Sequence, residues 1–399
     1  MIKMNNLKKL EILGSSAKYD ICASTSVTSR RKMHQTPKSI GYKNPAGCCH
    51  VFTPDGRCVS LFKVLMTNKC TNDCFYCQNS TSCNKKQVKT RFNPEELVSL
   101  FLEFYKRNLV EGLFLSSGIA KNTDSTMENM IQIGNLLRNK YHFQGYIHMK
   151  ILPGAHLSDI KAIAGLADRL SLNMEAPSKQ YLHELCSTKH YTVDLATRLA
   201  WMHGINKHKK ISAGITTQMI IGGNNASDYE ILKNTNQLYE KFNLKRVYYS
   251  AFHPIHGSPL EKINAAPLLR EHRLYQADWL LRVYRFRIEE ILPETDGNLS
   301  LKVDPKISYA ISHYDEKFPV DVNESSYSEL LYVPGIGPKS AKRIIQIQKN
   351  GEKIEKESTL KKLGVVISRA RPFIKVNGQR YTRLDEWLPK VEKHGMIAA

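Results

Sequence analysis

The residues whose types and spacing most plainly invite chemistry are Cys70, Cys74 and Cys77, in the run Thr67-Asn68-Lys69-Cys70-Thr71-Asn72-Asp73-Cys74-Phe75-Tyr76-Cys77. Three thiolates spaced C-x-x-x-C-x-x-C on one short loop can converge on a single cofactor, and soft thiolates at that density select zinc or an iron–sulfur cluster. Structural zinc takes four closed ligands, and no second C-x-x-C pair completes such a site. A [4Fe–4S] cluster held by three cysteines keeps one iron open to a small-molecule ligand, as redox chemistry on a bound substrate requires. Nine cysteines in a chain of 399 residues is an odd number, and it fits reduced thiols and metal rather than a disulfide framework. Of the other six, Cys48, Cys49 and Cys58 are poorly placed for an auxiliary cluster, because adjacent cysteines bind one metal awkwardly. With Cys22, Cys83 and Cys186 they read as free thiols.

The elements that must position the cysteines follow from hydrophobic periodicity. Leu61–Met66, Gly112–Leu115, Tyr146–Met149, Arg169–Asn173, Ile211–Ile221 and Arg246–Ala251 read as strands. Amphipathic helical patterns separate them: Pro94–Arg107, Thr126–Asn139, Leu157–Leu166, Val193–Lys207 and Asp228–Phe242. Such alternation argues for right-handed parallel βαβ units curling into an α/β barrel, with chemistry at the C-terminal ends of the strands. The expected organisation is an irregular basic arm over 1–60, a partial (β/α)6 TIM-like barrel over 61–295, a linker over 296–320 and a small all-α domain over 321–399.

The cysteine spacing, Tyr76 just before the third cysteine and the position after a first strand resemble the radical S-adenosylmethionine (SAM) superfamily. The resemblance implies that Cys70, Cys74 and Cys77 hold a [4Fe–4S] cluster whose open iron chelates SAM, which is cleaved to a 5′-deoxyadenosyl radical that takes hydrogen from substrate. It also implies a low-potential electron donor as partner. Where the superfamily often has a Gly-Gly-Glu-like turn, this chain has Ser116-Ser117-Gly118, so backbone carbonyls or serine hydroxyls stand in for the missing Glu. Asn173 and Glu175, on one face of a strand, fit the place that holds the ribose. Gln218 with Gly222-Gly223 fits an approach to adenine. Ser250 and His253 end the last strand, where a rim histidine is expected to hydrogen-bond.

Toward the C-terminus, Tyr327 to Ile345 reads as helix, glycine turn and helix, with Pro338 at the first helical position. Glycines Gly335 and Gly337 around Ile336 expose backbone N–H groups at a helix N-terminus, an anion site lined by Lys339, Ser340, Lys342 and Arg343. The pattern resembles the helix-hairpin-helix motif of DNA repair and replication proteins, which holds phosphates without reading sequence. A degenerate second copy follows at Leu360-Lys361-Lys362-Leu363-Gly364-Val365-Val366.

Lys and Arg outnumber Asp and Glu by 58 to 37, a formal charge of +21 that favours polyanionic partners. No leader or membrane-spanning run is apparent, so a cytoplasmic protein is expected. The layout resembles radical SAM proteins of DNA modification or repair, which implies DNA as partner. RNA modification, a non-catalytic iron–sulfur protein that binds nucleic acid, and a hairpin used for protein contact are the rival readings.

Overall fold

The computed structural model describes residues 4–17, 48–52, 58–83, 87–293 and 297–393. They divide into two compact units, one drawn from 1–226 and 237–266, the other from 227–236 and 267–399.

The first unit is built on a sheet of seven strands among the described residues, in sequential order. They are β1 (Cys48–Phe52), β2 (Cys58–Leu65), β3 (Gly112–Ser116), β4 (Tyr146–Lys150), β5 (Arg169–Ser171), β6 (Gly214–Ile221) and β7 (Arg246–Ala251). β1 is antiparallel to β2, and every pairing from β2 to β7 is parallel. Parallel strands need long crossovers. Here they are carried by α2 (Pro94–Lys106), α3 (Thr123–Asn135), α4 (Leu157–Ala164), α5 (Lys179–His183) and α6 (Thr197–His208), with α7 (Asp228–Phe242) between β6 and β7. β3 and β6 are buried along their whole length, as parallel strands covered on both faces are; β3 is apolar up to Ser116, whereas β6 buries the polar Thr216, Thr217 and Gln218 at its middle. The result is the partial TIM-like barrel.

Local signals start the helices where the sequence asks. Asn93 and Glu96 form a reciprocal capping box ahead of Pro94, and Leu97, Val98, Phe101 and Phe104 turn the inner face of α2 into the core. Register then brings the strand ends to one level: Leu65 of β2 lies opposite Ser116 of β3, and Glu175 bridges to Met219 of β6.

Two expectations need correction. The stretch 1–60 is not wholly irregular: α1 (Met4–Ala17) buries Leu10, Leu13 and Ala17, ties Lys9 to Glu96 at 2.7 Å, and is followed by β1. Its spaced leucines form a narrow apolar stripe diluted by polar neighbours, too weak a pattern to stand out by itself. The arm residues Ser24 to Lys32, and Cys22, lie outside the described residues.

The boundary near 295 also moves. Although the barrel was expected to run to 295, the helical stretch that starts after Pro267 belongs to the second unit. It breaks at Arg285, whose φ of 64° is left-handed, into α8 (Leu268–Trp279), a wider turn over Leu280–Tyr284 and α9 (Ile288–Ile291). The presumed linker contains α10 (Pro305–Ser312) and α11 (Tyr314–Lys317), α10 being capped by the Asp304 carboxylate. Beyond come α12 (Tyr327–Tyr332), α13 (Pro338–Lys349), α14 (Glu357–Lys362), α15 (Ile367–Ala370) and α16 (Leu384–Lys393). The unit is not purely helical either, since β8 (Val320–Asp321), β9 (Ile374–Val376) and β10 (Gln379–Arg380) form a small sheet.

Replacing Asn93 by Ala removes the side-chain half of the α2 capping box, the Oδ1 that accepts the Glu96 N–H, and leaves the backbone N–H of residue 93 on the Glu96 carboxylate. It should lower unfolding free energy by about 1 kcal/mol, read as a shift in denaturant midpoint at unchanged slope.

Candidate functional site

Cys70, Cys74 and Cys77 line one cavity of about 210 Å³ at the C-terminal ends of the parallel strands. The loop carrying them has no regular structure of its own, and its shape comes from residues more than a hundred positions away. The Asp73 carboxylate accepts the backbone N–H groups of Ser187 and Thr188 at 3.1 Å each and the Thr188 hydroxyl at 2.7 Å. It also takes the Ser187 hydroxyl and, at 3.0 Å, the Cys186 thiol. The N–H of Phe75 donates to the Leu185 carbonyl at 2.8 Å. Burial pushes the Asp73 carboxyl upward, but the hydrogen bonds, that of Ser187 foremost, outweigh burial and hold it well below the usual carboxylate range.

Next to this clasp the cavity floor carries a buried ion pair. Lys189 Nζ donates to Glu175 Oε1 and to the Tyr76 hydroxyl, both at 3.1 Å, and the Lys189 and Glu175 side chains are each 6% exposed. Burial alone would pull the ammonium down. Its acidic neighbours, Cys74 and then Glu175, reverse that and keep Lys189 protonated well above its ordinary value. Burial, with Cys74 and Glu175 adding to it, likewise raises the Tyr76 phenol and keeps it a neutral donor. Glu175 adopts a left-handed φ of 65°, a conformation that costs a non-glycine residue on the order of 1 kcal/mol or more and persists only where surroundings enforce it. Asn173 Nδ2 approaches its other carboxylate oxygen at 3.4 Å.

Of the residues expected at the site, Tyr76, Ser116, Ser117, Gly118, Asn173, Glu175, Gln218, Ser250 and His253 line the same cavity as the three cysteines. Gly118 serves the cysteine loop directly: a Cβ there would lie 2.3 Å from the Lys69 carbonyl oxygen. Gly222 and Gly223 do not line the cavity. A Cβ on Gly223 would meet Phe252 at 2.9 Å and Leu185 at 3.0 Å, so this glycine lets those side chains close behind the wall instead of admitting a ligand. Sequence reasoning missed Lys189, Asp73 and Asn79. Asn79 stands on the wall with a buried side-chain oxygen that has no hydrogen-bond partner. No local motif surrounds Lys189, and only the fold brings it to Tyr76.

Among the described residues no three His, Cys, Asp or Glu side chains close around a single metal-sized point. The chemistry of the donors nevertheless fits an iron–sulfur cluster: three cysteines, none in a disulfide, line one cavity, beside a buried ammonium and an unpaired amide oxygen.

In the second unit, α12 and α13 form the glycine hairpin. Ser326 and Glu329 cap α12 reciprocally. Gly335 has φ 83°, and a Cβ there would sit 2.4 Å from the Val366 carbonyl oxygen. Val366 in turn donates its N–H to the Gly335 carbonyl at 2.9 Å, so the degenerate second turn braces the first. Lys306 Nζ donates to the Ile336 carbonyl at 2.7 Å. Burial draws this amine well below its ordinary value, Asp304 opposing and the Arg369 charge adding to the effect. Arg369 itself is paired with Asp304.

Lys339, Lys342 and Arg343 are exposed at the hairpin, although Arg343 also donates to the Leu363 carbonyl at 3.1 Å. Ile336 and Ser340 are buried, so their side chains serve packing rather than contact. The hairpin residues Gly335–Ser340 share a cleft of about 840 Å³ with Tyr275, Tyr284 and the half-exposed Trp279.

Residues 64–235 match the family model of the radical SAM superfamily, and residues 316–366 match that of the helix-hairpin-helix motif. No curated protein sequence matches the chain. Among solved structures it is similar to the FeFe-hydrogenase maturase HydG from Carboxydothermus hydrogenoformans, at 16% identity over 53% of this chain and 48% of that one, TM-score 0.41. It is also similar to methylornithine synthase (PylB), at 14% identity over 54% and 60%, TM-score 0.44. The cobalamin-dependent SAM radical enzyme OxsB gives 10% identity over 89% and 65%, TM-score 0.37. The chain thus spans about half the length of HydG. Among the described residues no helix is long and apolar enough to cross a membrane.

Replacing Lys189 by Met leaves Glu175 buried without its counter-charge, which should cost about 3 kcal/mol or more of apoprotein stability. Lys189→Arg should recover part of it. Denaturant unfolding of the metal-free chain reads both.

Proposed function

Because the chain carries a radical SAM domain together with a helix-hairpin-helix motif, we propose that this radical SAM enzyme acts on nucleic acid, in DNA modification or repair. The observation that carries the reading is the presence in one chain of a three-thiol cavity with a buried ion pair and a glycine hairpin with exposed basic residues.

Cys70, Cys74 and Cys77 would hold the [4Fe–4S] cluster. When bound, the cluster and SAM supply one-electron chemistry, a reductive cleavage that yields a radical able to abstract hydrogen. The chain's own residues bind, orient and shield. Lys189, fixed by Glu175 and Tyr76, places a positive charge at the cavity floor, where low dielectric strengthens its pull on a ligand carboxylate. Asn173 and Glu175 offer hydrogen-bond partners for hydroxyls, and the unpaired Asn79 oxygen accepts a further donor. Leu152, Ile220 and Phe252 form the apolar part of the wall and exclude water from a reactive species.

The hairpin supplies the substrate class. Backbone N–H groups at the start of α13 with Lys339, Lys342 and Arg343 suit a phosphodiester backbone. The half-exposed Trp279 and Tyr284 in the adjoining cleft suit stacking by an unpaired base, worth about 1–3 kcal/mol per base.

The test is anaerobic reconstitution with iron and sulfide, reduction in the presence of SAM, and chromatography for 5′-deoxyadenosine with duplex DNA, single-stranded DNA, RNA or none. We expect the nucleoside from the wild type, stimulation by DNA, and none from Cys74→Ala. The double change Lys339→Glu with Lys342→Glu should reduce the stimulation and lower the slope of log affinity against log salt by roughly two, about one per phosphate contact. A loaded cluster that yields no nucleoside under any condition overturns the enzymatic reading, and stimulation by RNA alone overturns DNA as substrate.

A further inference from the structure

A fourth sulfur lies against the cysteine loop. Cys186 is fully buried, and its Sγ is 3.6 Å from Cys74 Sγ. Unlike Cys70, Cys74 and Cys77 it does not line the cavity. It therefore stands behind Cys74, away from the side on which a ligand would bind, and is no candidate for the open corner of a cluster.

Position decides what its single proton does. In the metal-free chain the Cys74 thiol donates to Cys186, and the Cys186 thiol reaches Asp73 Oδ1 at 3.0 Å. A cysteine that binds iron gives up its proton, so on metal binding the Cys74 sulfur turns from donor into charged acceptor. Asp73 Oδ1 already takes three other donors: the N–H groups of Ser187 and Thr188 and the Thr188 hydroxyl. That exceeds the two lone pairs of one carboxylate oxygen. The Cys186 proton thus has a crowded acceptor in Asp73 Oδ1, a neutral neighbour in the Thr188 hydroxyl at 3.4 Å that already accepts the Asp73 N–H, and, in the metal-bound chain, a charged acceptor in the Cys74 sulfur.

We propose that Cys186 is a positioning residue whose S–H donates to the Cys74 sulfur ligand and raises the reduction potential of the cluster. This rests on the reading of Cys70, Cys74 and Cys77 as ligands. The physical ground is that reduction adds negative charge to the cluster, and a hydrogen bond to a ligand sulfur stabilises the more negative state.

The experiment compares reconstituted full-length wild type, Cys186→Ala, Cys186→Ser and Cys74→Ala by iron and sulfide content and by midpoint potential in an EPR-monitored redox titration. Cys186→Ala should retain the wild-type iron and sulfide load while its midpoint moves to more negative potential. Cys186→Ser keeps a donor in nearly the same volume, and should return the midpoint to the wild-type value or above. An unchanged or more positive midpoint in Cys186→Ala overturns the proposal. Should that variant fail to fold, a Cys186→Ser midpoint below wild type overturns it equally. Full iron loading by Cys74→Ala is a separate outcome, and would overturn the ligand reading on which the proposal stands.

Discussion

Three thiolates crowded on one loop repel each other and favour no compact local structure, so such a loop needs an external template. Asp73 supplies the anchoring point. Its carboxylate gathers donors from Cys186, Ser187 and Thr188, and the following Lys189 spans from Tyr76, inside the cysteine run, to Glu175 in the connection that follows the fifth strand. One short segment after α5 therefore fixes the loop, the phenol and the carboxylate together. Remove that segment and the cysteines keep their spacing in sequence while losing their placement in space.

The barrel makes the template possible. Parallel strands deliver every connection at the same edge, so the cysteine loop after β2, Ser116–Gly118 after β3, the residues after β5 and the tips of β6 and β7 meet without long excursions. Close approach is the price at Gly118, where the backbone lies against Lys69 with no room for a side chain. Strain at Glu175 is tolerated because its backbone N–H and carbonyl are both engaged with β6, to Gln218 and from Ile220.

What the sequence disclosed, and what it hid, separates along contact range. The cysteine triad, the glycine hairpin and the strand–helix alternation are local patterns, and local physics sets them: ligand spacing, turn geometry and burial on two faces. Nearly all residues named from strand ends do line the cavity. Lys189, Asp73 and Cys186 were not legible as site residues, because their roles arise between positions about 113 residues apart and leave no periodic trace. Gly222-Gly223 misled for the converse reason: a glycine needed for close packing by Phe252 and Leu185 looks the same in sequence as one that admits a ligand. The boundary between units was misjudged because a polar connection around residue 297 resembles a linker, whereas the helical break at Arg285 falls inside the second unit.

The buried cations change how the bulk charge is to be understood. The formal charge of +21 is a balance of 58 lysines and arginines against 37 carboxylates, to which Lys189, paired inside the barrel with Glu175, and Arg369, paired with Asp304, add nothing net. It also counts Lys306, whose amine burial draws toward the uncharged form while it holds the hairpin carbonyl. These charges are spent on internal architecture and project little field. Long-range attraction of a polyanion accordingly falls to the exposed lysines and arginines, which salt screens within roughly 10 Å at 0.1 M. The buried and partly buried pairs are screened much less. Raising salt should thus weaken the surface's attraction for polyanions well before it loosens the scaffold beneath.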